Sequence, residues 1–411
     1  MTNFLAYQCS LCGTTYAKDE VQYTCPACGD LGNLDLVLDY EAINRVASPD
    51  SIAASHDPSH WRYLPLLPVS DPGLNGTPLR NVGGTPLYLA KRLAAPLGLK
   101  NLFVKDDGRN PTASFKDRAS SVVVARALEI GASTLVTAST GNAGAALAGM
   151  AAAAGLPAVI FAPQSAPVAK VAQLLMFGAR VILIEGSYDQ AFELSIQAAQ
   201  EFGWYCRNTG YNPFTAEGKK TAAFEVAEQL GWRAPDKLFV SVGDGNIITG
   251  IWKGFKDLQA LGWIDRVPEL MGVQAEGSAA CANAWAENAD EVKPVAANTL
   301  ADSIAVDLPR DGMRAVRAVR ETGGAYVVVT DDDILAAMRS LARDAAVFAE
   351  PAGATAYAGL VKAVQDGRVG VGETVVVINT GNGLKDVQSA MKAAGEAVVI
   401  EPTLDAVKRI L

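Results

Sequence analysis

The chain has 411 residues, half of them hydrophobic and 19% charged, with a formal net charge of -9, enough for two or three domains around a large core. The acidic balance is the wrong sign for a protein that holds nucleic acid mainly through its phosphates, and no run approaches the roughly 20 apolar residues that span a bilayer. Only two histidines occur, His56 and His60, which argues against a catalytic histidine or a multi-histidine metal centre and leaves proton transfer to another side chain.

The start, Met1-Thr2-Asn3-Phe4-Leu5, lacks a basic stretch followed by an apolar one, so no signal peptide is expected and the cytoplasm is the default location. Residues 1–38 hold Cys9-x-x-Cys12 and Cys25-x-x-Cys28. Four thiolates at that spacing suit a tetrahedral structural zinc site, with Gly13 and Gly29 allowing the tight turns. Iron would fit the same set, whereas two disulfides fit a cytosolic chain poorly. Cys206 and Cys281 read as ordinary free thiols. A ribbon of this kind can bind nucleic acid, but Asp19, Glu20, Asp30, Asp35 and Asp39 outnumber Lys18 here.

Residues 39–82 carry Ser48-Pro49-Asp50, Asp57-Pro58-Ser59, Leu67-Pro68 and Asp71-Pro72-Gly73, a density of breakers that predicts a long irregular linker. From residue 83 onward short apolar runs alternate with Ala/Leu-rich stretches of helical period. Strands are predicted at Leu102–Lys105, Thr134–Ala138, Ala158–Ala162, Arg180–Ile184, Leu238–Val242, Leu270–Gln274, Ala325–Val329 and Thr374–Ile378. Helices are predicted at Asn142–Ala154, Val168–Phe177, Asp189–Phe202, Glu217–Leu230, Asp331–Ala345 and Gly353–Gln365. Alternation of this kind gives an α/β fold, mostly parallel sheets with helices on both faces.

Four segments carry chemistry. In Asn110-Pro111-Thr112-Ala113-Ser114-Phe115-Lys116-Asp117-Arg118 a Pro turn leads to Ser114, a good helix N-cap, and then to a lysine in the first helical turn. The helix dipole disfavours a cation there, which favours the neutral, nucleophilic amine that Schiff-base chemistry needs. Ser139-Thr140-Gly141-Asn142-Ala143-Gly144 follows a strand and opens a helix, leaving N–H groups free for an anion such as a substrate carboxylate. Gly243-Asp244-Gly245-Asn246-Ile247-Ile248-Thr249-Gly250 is a Gly-rich strand-to-helix loop suited to one phosphate; the dinucleotide fingerprint is broken at Ile248 and the P-loop Lys-Ser/Thr pair is missing. Asn379-Thr380-Gly381-Asn382-Gly383-Leu384-Lys385-Asp386 stands at a strand end, where ligands of open α/β sheets bind.

Together with Gly84-Thr85-Pro86-Leu87 and Glu350-Pro351-Ala352-Gly353-Ala354, these motifs resemble the fold-type II enzymes of pyridoxal 5'-phosphate (PLP), the tryptophan synthase β-like class, and most closely the threonine synthases, some of which also carry an N-terminal cysteine ribbon. The resemblance covers nearly the whole chain. It implies a catalytic region at 83–411, with a small mobile domain at about 120–205 that closes over an amino-acid substrate, and a homodimer. It implies that Lys116 binds PLP and later acts as general base, and that Asn142 holds the phenolic oxygen. Gly243, Asp244, Gly245, Asn246 and Ile247 would wrap the phosphate, Thr380 would face the pyridine nitrogen, and Ser139, Thr140 and Gly141 would hold the substrate carboxylate. The expected reaction is O-phosphohomoserine plus water to threonine plus phosphate.

The chain departs from the family at two places. Asn-Pro-Tyr-Arg becomes Asn212-Pro213-Phe214-Thr215, losing an arginine that helps hold the substrate phosphate, with Lys219 and Lys220 as candidate substitutes. Thr-Gly-His-Gly becomes Thr380-Gly381-Asn382-Gly383. The first departure favours the alternative of β-elimination or β-replacement on serine, threonine or phosphoserine, as in dehydratases or cysteate synthase. More remote readings are a dehydrogenase and an inactive zinc-containing binding protein.

Overall fold

A computed structural model describes residues 2–166 and 168–411. Thirteen strands form three sheets among the described residues. Near the N-terminus, β1 (Phe4–Cys9), β2 (Thr15–Tyr16) and β3 (Leu34–Leu38) make an antiparallel sheet in the order β2-β1-β3. The large sheet contains β4 (Leu87–Leu89), β5 (Asn101–Asp106), β10 (Lys237–Ser241), β11 (Glu269–Ala275), β12 (Tyr326–Val329) and β13 (Thr374–Asn379), in the order β12-β11-β10-β13-β5-β4. All its pairings are parallel except β4 with β5. The third sheet, β8-β7-β6-β9, is all parallel and is built from β6 (Leu135–Ala138), β7 (Ala158–Pro163), β8 (Arg180–Ile184) and β9 (Tyr205–Cys206).

The eight strands expected from the sequence are all present, shifted by at most two residues at an end. Their β-branched runs, such as Thr-Val-Val-Val-Ile in β13, are buried on both faces, as central parallel strands require. Helix Asn142–Ala154 is almost all Ala and Gly, which lets it lie close on the sheet. A Cβ on Gly144 would sit 2.2 Å from the Ser139 carbonyl oxygen, so only glycine permits the sharp strand-to-helix turn after β6.

Three expectations are corrected. Residues 39–82 are not an irregular linker. Ser48 caps helix Pro49–Ala53 with Pro49 in its first turn, a position where the missing N–H does no harm, and Trp61, Tyr63, Leu66 and Leu67 are buried in the main core. Ser114 does not cap the lysine-bearing helix Lys116–Glu129; Phe115 occupies the cap position, and the Ser114 hydroxyl has no partner. The helix expected over 217–230 is two, Phe214–Lys219 and Thr221–Gln229. The short strands β1 to β4 and β9 were not expected from the sequence.

Candidate functional site

The loop before Lys116 is held from two sides. The Phe115 N–H donates to the Thr380 carbonyl (2.9 Å) and the Asn382 N–H to the Ala113 carbonyl (3.1 Å), lacing it to the turn after β13. The Thr112 N–H donates to Asp117 Oδ2 (2.6 Å). Lys116 is therefore the first residue of a helix whose start is fixed by the central strand. Burial pushes its amine down to about 8, with the Arg207 guanidinium as the next cause. A large fraction of the amine is then neutral near pH 8, as a nucleophile or base needs.

Lys116 opens into a narrow cavity lined also by Asn142, Gly243, Asp244, Gly245, Asn246, Ile247 and Thr380. All the expected cofactor-binding residues thus meet in one place. Helix Asn246–Ala260 starts at the end of β10, and its first N–H groups, with those of the preceding loop, have no helical acceptor and are free for an anion. Gly245 has φ +88°, and a Cβ there would lie 2.6 Å from the Asp311 carbonyl oxygen, so the cradle needs glycine. The buried Ser241 hydroxyl, also in this wall, has no hydrogen-bond partner in the protein. An orphaned hydroxyl beside unpaired N–H groups fits a phosphate. Ser139, Thr140 and Gly141 line an adjoining cleft of about 430 Å³ that shares Lys116, Asn142, Thr209 and Asp244 with the cavity.

The sequence reading gave no role to several groups found here. Asn142 Nδ2 donates to Glu350 Oε1 (2.6 Å), and burial raises the Glu350 carboxyl to about 7. Glu350 stood in a motif already singled out, but nothing local showed that it meets Asn142, 208 residues away. Thr209 also lines the cavity, as does Lys219, one of the two lysines weighed from the sequence as a substitute for the missing arginine. Lys219 Nζ donates to Asn246 Oδ1 (2.5 Å). Lys220 points elsewhere, paired with Glu217 (2.6 Å) and Asp257 (2.8 Å). Thr215 is buried, and its hydroxyl donates to the Asn212 carbonyl (2.7 Å).

The Sγ atoms of Cys9, Cys12, Cys25 and Cys28 all lie within 4.8 Å of one another, a cluster able to hold a metal ion. The cluster's segment is not remote from the site. Asn33 Nδ2 donates to the Gly210 and Arg310 carbonyls, and Tyr23 stacks on Tyr211 with ring centroids 4.5 Å apart. Among the described residues no helix is long and apolar enough to cross a membrane.

A lysine at a helix start, a one-phosphate cradle, an asparagine and a neutral hydroxyl in one cavity between parallel sheets define an enzyme of the PLP class. The comparisons agree: the profile described as "Pyridoxal-phosphate dependent enzyme" matches residues 79–381, and the chain belongs to that family. It is 40% identical to the threonine synthase of Methanocaldococcus jannaschii and 41% identical to that of Methanosarcina acetivorans, each over 406 residues and 98% of both chains. Among solved structures, its fold is similar to threonine deaminase isoform 2 from Solanum lycopersicum (TM-score 0.66, 24% identity, 78% of this chain and 86% of that one). It is also similar to O-ureido-L-serine synthase (TM-score 0.66, 19% identity, 81% and 99%).

Proposed function

We propose that this PLP-dependent lyase converts O-phosphohomoserine and water into threonine and phosphate. The observation that carries the reading is the full-length likeness to threonine synthases at about 40% identity. The bound cofactor supplies a conjugated ring that withdraws electrons from the substrate's α carbon. Lys116 holds the cofactor and, once released, moves the proton at that carbon. Ser139, Thr140 and Gly141 bind the substrate carboxylate through the open turn after β6. Asn142, steadied by Glu350, positions the ring's phenolic oxygen, and Gly243 to Ile247 hold its phosphate. The unit of about 120–205, carrying β6 to β8, closes over the substrate and excludes water. The test is turnover by the purified cofactor-loaded enzyme, read as equal release of inorganic phosphate and threonine. Release of ammonia and an oxo acid from serine or threonine, with none of phosphate from O-phosphohomoserine, would replace this reading by the β-elimination alternative.

Thr380 lines the cavity with its carbonyl fixed by Phe115, and its hydroxyl would hold the ring nitrogen of the bound cofactor. A neutral hydroxyl leaves that nitrogen largely unprotonated, which favours elimination of a good leaving group over transamination. Thr380→Ser keeps the hydroxyl and should stay within about twofold of the parent in kcat/KM, whereas Thr380→Asp should lose about tenfold or more and gain abortive side reactions. Equal damage from both substitutions, measured side by side, would overturn this assignment.

One zinc ion is held by Cys9, Cys12, Cys25 and Cys28. The Cys12 and Cys25 sulfurs are 3.8 Å apart, which matches the edge of a tetrahedron of thiolates about 2.3 Å from zinc, about 3.8 Å. Its role is structural, because none of the four cysteines lines the cofactor cavity or the adjoining cleft. Elemental analysis should find one zinc per chain. Chelation or Cys25→Ser should lower the melting temperature by about 5 °C or more. Metal-free protein with unchanged melting would refute it. The cytoplasm remains the proposed location.

A further inference from the structure

A phosphorylated substrate brings a second anionic group into the cleft beside Lys116, and Thr215 stands where an arginine would meet it. The two lysines close by in sequence are committed elsewhere. Lys219 lines the narrow cofactor cavity but not the cleft, bonded to Asn246 (2.5 Å), and Lys220 is paired with Glu217 and Asp257. Among the described residues, Lys116 and Arg310 are the only lysine and arginine that line the cleft. Its volume of about 430 Å³ is ample for a phosphorylated amino acid.

Arg310 is built into that wall. Its N–H donates to Asp244 Oδ1 (2.6 Å), in the loop of the phosphate cradle, and its carbonyl accepts from Asn33 Nδ2 (3.3 Å). A Cβ on Gly210 would lie 2.7 Å from Arg310 Cβ, so glycine is needed for this approach. The guanidinium lies over the Phe192 ring, 4.8 Å from its centroid, and Nη2 donates to Asp189 Oδ1 (3.2 Å). Asp189 also lines the cleft, from the first turn of helix Tyr188–Phe202. The Arg310 side chain is 22% exposed. Its Nε and Nη1 have no partner among the described residues and are not enclosed, which leaves donors for a ligand.

The other acids of the cleft are occupied. Asp244 accepts the Arg310 N–H, Asp307 accepts the Ala297 N–H (2.7 Å), and Asp302 is paired with Lys170. Asp189 alone among them rests on the guanidinium, through a single oxygen. A phosphate can engage the same group through two parallel bonds, which is the stronger arrangement.

We propose that Arg310 binds the phosphate of the substrate in place of the arginine missing at Thr215, and that Asp189 occupies the guanidinium until the substrate arrives. The proposal rests on the reading of the substrate as a phosphorylated amino acid. It places the substrate's two anionic ends on different walls of one cleft, the carboxylate at Ser139 to Gly141 and the phosphate at Arg310.

The experiment titrates inorganic phosphate into cofactor-loaded enzyme by calorimetry, where the cofactor's own phosphate already fills the cradle. The parent should bind one phosphate. Arg310→Gln should weaken that binding, and raise the KM for O-phosphohomoserine, by about 10- to 100-fold. Arg310→Lys, which keeps the charge but not the fork, should fall between. Affinity for threonine, which carries no phosphate, should be unchanged when read from the cofactor's absorbance. Asp189→Asn removes the competitor and should tighten phosphate binding about two- to fivefold. Arg310→Gln loses only a partly exposed pair and should melt with the parent. The proposal is overturned if the loaded parent binds no phosphate, if Arg310→Gln binds it like the parent, or if threonine affinity falls as far as phosphate affinity. Weaker phosphate binding by Asp189→Asn would remove Asp189 from its role. If phosphate binding depends on Arg310 but O-phosphohomoserine is not turned over, the anion site stands and the reaction falls. If turnover occurs with no effect of Arg310, the reaction stands and the anion site falls.

Discussion

Lys116→Ala should reduce turnover by about 10^4-fold, the upper end of what a lost acid–base group costs, and should abolish the visible absorption of lysine-bound cofactor. The variant should still fold. Lys116 makes no salt bridge among the described residues, and removing a buried amine relieves desolvation rather than breaking a pair. Neither histidine can rescue the proton transfer. His60 is fully buried against Ser121 (3.2 Å) and Thr221 (3.3 Å), and burial holds its pKa at about 3, so it stays neutral. The same lysine gives a pH signature independent of turnover. An amine depressed to about 8 is protonated below that pH and neutral above it. Cofactor uptake by the apoprotein should therefore quicken about tenfold per pH unit up to about 8 and then level off. An unperturbed lysine would keep gaining to about 10.4. Parent-like turnover by Lys116→Ala, or uptake still accelerating at pH 10, would remove Lys116 from its role.

The strands and the loops after them were legible because each is a local pattern. Val-Val-Val-Ile bounded by polar residues can only be a buried strand of this length, and Gly-rich ends after β6, β10 and β13 mark where the chain leaves the sheet. It was the family resemblance these motifs carry, not any one local pattern, that put the lysine, the cradle and Thr380 in one site before their distances were known. What was not legible depends on contacts between distant segments. Nothing around Glu350 reveals Asn142. Proline misled in the opposite direction. Pro49 begins a helix, and Pro65 lies inside the 3-10 stretch His60–Leu66, whose Trp61 and Tyr63 enter the core. Breaker density reports local backbone freedom, while burial of the aromatics decided the outcome. The three-residue β4 and two-residue β9 are too short to show any period.

Glu225→Gln should destabilise the protein by about 3–5 kcal/mol, because it breaks a buried ion network from its centre. Glu225 Oε1 accepts from Arg118 Nη1 (2.6 Å) and the Gly84 N–H (2.8 Å). Its Oε2 accepts from Lys105 Nζ (2.6 Å), Arg118 Nη2 (2.8 Å) and the Thr85 N–H (3.2 Å). This explains the Gly84-Thr85-Pro86-Leu87 motif, whose amides cap a carboxylate instead of a ligand. Burial pushes the Glu225 carboxyl up, but Arg118 and then Lys105 outweigh it and hold the pKa below the usual range. A depressed carboxylate contributes stability that is full above its unfolded pKa of about 4.3 and is lost as pH falls through the folded one. Glutamine keeps the shape but not the charge, so Arg118 retains only Asp107 (2.6 Å), and Lys105 is left with neutral partners, Thr85 and Gln229. Arg118 lies on the helix that begins with Lys116, so the loosened network should also lower kcat in the folded fraction. Denaturant unfolding at pH 7 and at pH 3 tests both parts. The deficit should be large at pH 7 and shrink in acid, because below about pH 4.3 Glu225 of the unfolded parent takes up a proton that the folded carboxylate does not. An equal deficit at both pH values would mean that packing, not charge, makes Glu225 indispensable.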